Sequence, residues 1–156
     1  MGDSEARRTY LVVVDDSPEA RVALRFAARR AAKTGGRVEV LGIVEPQDFV
    51  QFGGVQAAIE EEARLRAEAA VAQASGAIIE EAGIRPSITV KQGDPVKAVT
   101  ELFKERTDVS AFVVGAASEG DPGPLVSHFL NNAGDLPCPM MIVPGHLDAE
   151  ALDRLS

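Results

Sequence analysis

The sequence predicts a doubly wound α/β fold, a five-stranded parallel sheet with helices on both faces, and three observations predict it. Short apolar runs rich in β-formers alternate with stretches whose apolar residues recur at helical spacing, in the order β-α-β-α-β-α-β-α-β. The first run, Tyr10-Leu11-Val12-Val13-Val14, is continuous instead of alternating, as a strand buried on both faces must be. It ends in Asp15-Asp16-Ser17-Pro18, where Ser17 suits a helix N-cap and Pro18 the first helical position. Asp15 and Asp16 therefore stand at the C-terminal end of a central strand, the edge where doubly wound sheets hold ligands.

Each later element has its own local cause. Ala20, Ala23, Leu24, Ala27, Ala28 and Ala31 make a small-residue stripe, so the first helix lies close to the sheet, and Gly35-Gly36 supplies its left-handed stop. Val38 to Val44 is the second strand, closed by Pro46. Residues 47–54, with Phe49, Val50, Phe52 and Gly53-Gly54, read as a connection, and a long helix follows from about Val55 to Ala82. Glu60/Arg64 and Glu62/Arg66 stand at i,i+4 in the favourable order, so the acidic run Glu60-Glu61-Glu62 reads as a solvated helix face. Gly83 stops this helix. Ser87-Ile88-Thr89-Val90 is the third strand, and Asp94-Pro95 repeats the cap device before a helix with Val96, Val99, Leu102 and Phe103 on one face. Val109 to Val114 is the fourth strand, ending at Gly115, with a loop from Ala116 to Pro124 and a short helix from Pro124 to Ala133. Pro139 to Pro144 is a proline-bracketed fifth strand, and the tail places Leu147, Ala151, Leu152 and Leu155 on one helical face.

Composition bounds the function. At 156 residues the chain is one domain, with a core over 9–144, a loose arm over 1–8 and a tail over 145–156. The net charge of −8 excludes nucleic acid and anionic membrane as partners, because both demand clustered Lys and Arg. Its one cysteine, Cys138, rules out an intrachain disulfide framework and fits a reducing, cytoplasmic setting. Met1 to Arg8 is short and polar, unlike a signal peptide, and no apolar run approaches the ~20 residues of a membrane span.

No catalytic residues and no metal site are expected. His128, His146 and Cys138 lack metal-ligand spacing, and Ser127 and His128, adjacent on a helix, point apart instead of forming a nucleophile and base. Cys138 between two prolines reads as a small buried hydrophobe. Asp15 has two readings, a ligand contact or a carboxylate satisfied by neighbouring backbone N–H groups, and both stay open.

LVVVDDSPEARVALRFAARRAAKTGGRVEVLGIVEP resembles the opening of the universal stress protein family. KQGDPVKAVTELFKERTDVSAFVVG and PCPMMIVP resemble its third-to-fourth segment and its last strand. The resemblance implies a Rossmann-like sheet of order 3-2-1-4-5 and a homodimer built through the fifth strand, here Met140, Met141, Ile142 and Val143. It also implies ATP, with an acid ending the first strand on the ribose, a residue ending the second strand at the adenine, and a loop patterned G-x2-G-x9-G-[ST] around the phosphates. Carried over by position, the nucleotide residues are Asp15, Asp16, Ile43, Val44, Gly115, Ala116, Ser118, Gly120 and Ser127.

The chain departs from that pattern in the loop. After Gly115 it reads AASEGDPGPLVSHFLNN, and Val126-Ser127 stands where the glycine-serine pair belongs. Glycines there let backbone N–H groups approach phosphate with no Cβ in the way. No Lys or Arg lies between Gly115 and Val143, whereas Glu119, Asp121 and Asp135 do, and Asp16 replaces the family's usual glycine. Mg²⁺ bridging to Asp16 or Asp121 would reverse the sign, but no spacing demands it. The expected function is a dimeric regulatory or adaptor protein with a protein partner and weak or no ATP binding. The alternative is an ATP-binding, nucleotide-gated regulator; a slow ATPase has no positioned base and no phosphate lysine to support it. The tail leucines either cover the edge of the fifth strand or join the dimer interface, and the second is expected.

Overall fold

The computed structural model of the protein describes residues 7–45 and 56–156. The connection expected over 47–54 and most of the N-terminal arm lie outside the described residues. Ten principal elements follow in order: β1 (Thr9–Val14), α1 (Pro18–Thr34), β2 (Arg37–Val44), α2 (Gln56–Ala82), β3 (Ser87–Gln92), α3 (Pro95–Glu105), β4 (Val109–Ala116), α4 (Pro124–Asn131), β5 (Met140–Pro144) and α5 (Ala149–Leu155). The strands form one parallel sheet in the order β3-β2-β1-β4-β5. Val12, at the centre of β1, pairs with Val40 of β2 on one side and Val113 of β4 on the other.

The expected caps form. The Ser17 hydroxyl accepts from the Ala20 N–H at 3.2 Å, Asp94 accepts from the Lys97 N–H at 3.1 Å, and Gly35 ends α1 with φ 67°. The core divides at the sheet. On one face Tyr10, Val12, Val14, Val38 and Val40 pack beneath the alanine stripe of α1 and Val71, Ala74 and Ile78 of α2. On the other, Leu11, Leu41, Phe112 and Val114 pack beneath Val99 and Leu102 of α3 and Val126 and Phe129 of α4. Phe103, Phe112 and Phe129 meet edge to face there, with ring centroids 5.3–6.5 Å apart.

Two sequence-based boundaries shift for tertiary reasons. β4 runs on through Gly115 to Ala116, because those residues find ladder partners in Val143 and Pro144 of β5. The helix expected to reach Ala133 ends at Asn131, and a 3₁₀ turn follows at Ala133–Asp135. The tail also differs from expectation. α5 docks on α1, with Leu152 at 1% exposure inside the core and Leu147 packed against it. Arg29 reaches the Asp153 carboxylate at 3.1 Å, Arg30 donates to the Ser156 carbonyl at 3.1 Å, and Lys33 donates to the Asp153 carbonyl. Two of the three tail leucines are therefore used within the chain, and only Leu155 remains exposed.

At the opposite, N-terminal end of the sheet lies a charge cluster that sequence reasoning did not find. Glu39 of β2 is 1% exposed, accepts from the Thr89 hydroxyl at 2.6 Å, and has Arg106 Nη1 3.2 Å from its Oε2, outside hydrogen-bond geometry. Arg106 in turn forks onto both carboxylate oxygens of Asp108 at 2.8 Å.

Candidate functional site

A parallel sheet whose crossovers leave β1 for one face and reach β4 over the other opens a crevice between the C-terminal ends of β1 and β4. Here a cavity of about 470 Å³ occupies that place, bounded by the ends of β1, β2 and β4 and by residues of α1, α2, α3 and α4. Five of the sequence-predicted site residues line it: Asp15, Asp16, Ile43, Val44 and Gly115. Ala116, Ser118, Gly120 and Ser127 do not. Ala116 belongs to β4, while Ser118 and Gly120 lie in the bend beyond it. Ser127 sits on α4, where its N–H donates to the Gly123 carbonyl at 3.0 Å.

The strand alternation sorts the walls. Val13 and Ile43 pack toward α3 and α4, and Val14 toward α1 and α2. Val44 shares the face of Gly42, whose missing side chain leaves room for Val71 of α2. One Asp15 oxygen, Oδ1, accepts from the Ser17 N–H at 2.8 Å, closing the turn that leads into α1. The backbone reading of Asp15 thus holds for that oxygen, and the residue still lines the cavity. The Asp16 backbone carbonyl accepts from Arg21 at 3.4 Å.

Gly115 has a structural cause of its own. A Cβ there would lie 2.0 Å from the Glu19 carbonyl oxygen, so only glycine lets the first turn of α1 cross β4 at this height. Glu19 is thereby brought onto the cavity wall.

α4 presents its N-terminus to the same space. Gly123 is its N-cap, with φ 118° and no side-chain cap, and Pro124 at the first position has no N–H. The Gly123 N–H is taken by Asp121 Oδ1 at 2.8 Å. The N–H groups of Leu125 and Val126 precede the first intrahelical bond of α4, and both residues line the cavity. The α2 wall carries Ala63, Arg66, Ala67 and Ala70, one helical face by their spacing. Arg66 is exposed, and no ion pair joins it to Glu62, the partner expected from the sequence. Sequence reasoning missed Arg66, Glu19 and the Pro122–Val126 approach. The 63/66/67/70 spacing was a readable signal for the first, overshadowed by the charge pattern around it.

The other singled-out residues stay apart from the cavity. His128 stacks edge-on against Phe129, ring centroids 5.0 Å apart. Cys138 is half-buried against the α3/α4 core, and burial pushes its thiol pKa up, away from thiolate chemistry. Among the described residues no group of three or more His, Cys, Asp or Glu is placed to hold a metal ion. No helix there is long and apolar enough to cross a membrane. On β5, Met140 and Met141 pack toward opposite faces of the sheet and Val143 is buried in the chain's own core. Ile142 is 41% exposed, and among the described strands none pairs with the outer edge of β5.

The sequence model of the universal stress protein family matches residues 6–144. Solved structures similar to this chain include the universal stress protein UspA from Lactobacillus plantarum, at 18% identity and TM-score 0.73, covering 88% of this chain and 99% of that one. A universal stress protein in complex with cAMP aligns at 21% identity and TM-score 0.62, covering 88% and 97%. The universal stress protein from Archaeoglobus fulgidus in complex with dAMP aligns at 19% identity and TM-score 0.61, covering 87% and 97%. Among curated protein sequences there is no match.

Proposed function

The chain belongs to the universal stress protein family, and on that premise we propose that it is a dimeric regulatory or adaptor protein of the stress response, acting in the cytoplasm, whose crevice binds ATP weakly or not at all and does not hydrolyse it. The charge of the crevice carries this reading. Asp15, Asp16, Glu19 and Glu45 line it, and Arg66 is the sole cationic side chain among the described lining residues. A triphosphate brings roughly four negative charges and normally meets several cations, a metal or a glycine-rich nest. The segment from Gly115 to Val143 brings no Lys or Arg.

The shape nevertheless suits a nucleoside. Asp15 Oδ2 takes no part in the Ser17 turn and would accept from a ribose hydroxyl, with Ile43 and Val44 beside it as an apolar seat for a base. The open N–H groups of Leu125 and Val126 suit one anion. The cAMP and dAMP held by two of the similar structures support an adenine-type occupant. Mg²⁺, when bound with a nucleotide, would neutralise phosphate charge, and of Asp16 and Asp121 it is Asp16 that lines the crevice and would hold it. The described lining residues include no histidine or lysine to move a proton or grip a leaving phosphate, which argues against hydrolysis.

Titration calorimetry with Mg-ATP tests the reading. Weak or absent heat is expected, and a dissociation constant in the low micromolar range or tighter would overturn it. A second reading, a nucleotide-gated regulator, is favoured by the open end of α4, and that tight constant is the result it predicts.

A further inference from the structure

We infer that Arg66 is the anion-reading residue of the crevice and restricts it to ligands with a single phosphate; this rests on the adenine-nucleotide reading above. Three observations converge on it. The segment from Gly115 to Val143 carries no Lys or Arg, so a ligand's negative charge finds no cationic side chain on the β4 side. Arg66 stands on the α2 wall of the cavity, on one face with Ala63, Ala67 and Ala70, whose side chains are short. Its expected helical partner Glu62 does not pair with it, so the fork of donors remains available at the cavity mouth.

The position follows from the packing. Val71 and the Ala67 carbonyl of α2 lie over Gly42 of β2, and a crossover helix runs antiparallel to its strands. Arg66, toward the start of α2, therefore overhangs the C-terminal end of β2, where Val44 and Glu45 also line the cavity. One guanidinium matches one phosphate by two parallel N–H···O bonds, a monophosphate carrying roughly two charges. Further phosphates would extend among the four acids that line the crevice. The one cationic side chain of the described lining thus stands on α2 instead of in the loop after β4, and the selectivity it creates is for phosphate number.

The test compares adenosine, AMP and ATP on the full chain by titration calorimetry, in the wild type, Arg66→Ala and Arg66→Lys. Because Arg66 is exposed and no ion pair joins it to another of the described residues, both variants are expected to fold, which a far-ultraviolet spectrum and melting curve check. The wild type should bind AMP more tightly than adenosine or ATP. Arg66→Ala should weaken AMP about 10- to 100-fold, to the level of adenosine, and leave adenosine unchanged. Arg66→Lys should retain part of the AMP preference, as a point charge without the fork. AMP affinity that is unmoved by Arg66→Ala, or that falls together with adenosine, overturns the assignment while leaving the nucleotide reading intact. A wild type that binds none of the three overturns the assignment together with the adenine-type occupant of the crevice on which it rests.

Discussion

Replacing Gly115 with alanine should destabilise the protein through a single backbone collision. The added Cβ would stand 2.0 Å from the Glu19 carbonyl oxygen, 2.5 Å from its carbon and 3.0 Å from its Cβ. None of these atoms is the far end of a flexible chain, so the first turn of α1 must lift by more than about an ångström to restore ordinary contact. It cannot lift freely. Ala23, Ala27 and Ala31 lie along the same helix at 0% exposure, and raising one end opens a void beneath them. Overpacking of this kind costs ~1–3 kcal/mol, and a backbone obstacle belongs at the upper end, about 3 kcal/mol. For a chain of this size each kcal/mol moves Tm by ~2–4 °C, so thermal melting followed by circular dichroism should fall by ~6–12 °C. Gly76→Ala provides the opposite control. Gly76 is exposed inside α2 with nothing within 4 Å of its would-be Cβ, and the change should stabilise by ~0.5–1 kcal/mol through helix propensity. If Gly115→Ala melts within about 2 °C of the wild type, the close α1–β4 crossing is not what demands glycine there.

Ile142→Asp tests the proposed dimer: light scattering at tens of micromolar should report monomers for the variant and dimers for the wild type, and a monomeric wild type would count against pairing through β5. Arg106→Ala should cost about 3 kcal/mol in urea unfolding, because it leaves the Glu39 carboxylate buried without its cation; a loss below about 1 kcal/mol would mean Glu39 is not held by charge. The same arginine holds the Asp108 carboxyl below its ordinary pKa of 3.8, chiefly by hydrogen bonding. That depression makes the pair stabilising above the unfolded value and lets the contribution fade as pH falls through the lower folded value. Asp108 is exposed, so the fading amounts to ~0.2–1 kcal/mol, and Arg106→Ala should abolish that part of the acid dependence.

Local order in this chain was determined by the sequence alone. Ser17-Pro18, Asp94-Pro95 and Gly35 set helix ends through contacts spanning only a few residues, and each formed as the residue types demand. Short runs of β-forming residues bounded by turn residues identified all five strands, and that of β1 is continuously apolar because a strand buried on both faces has no polar side to show. Asp15, Ile43, Val44 and Gly115 were legible as neighbours because the strand order implied by the family resemblance brings the ends of β1, β2 and β4 together. Tertiary structure decided what depends on partners distant along the chain. Gly115 and Ala116 became strand only because β5 lies beside them, and Gly115 must be glycine only because α1 crosses there. Leu152, which by spacing fitted an interface as well as a core, is buried because α1 offers Arg29, Arg30 and Lys33 to hold the tail. Arg66 read as half of a solvated i,i+4 pair; the 63/66/67/70 spacing sets it on one face with three alanines, but only the packing of Val71 over Gly42 turns that face toward the crevice.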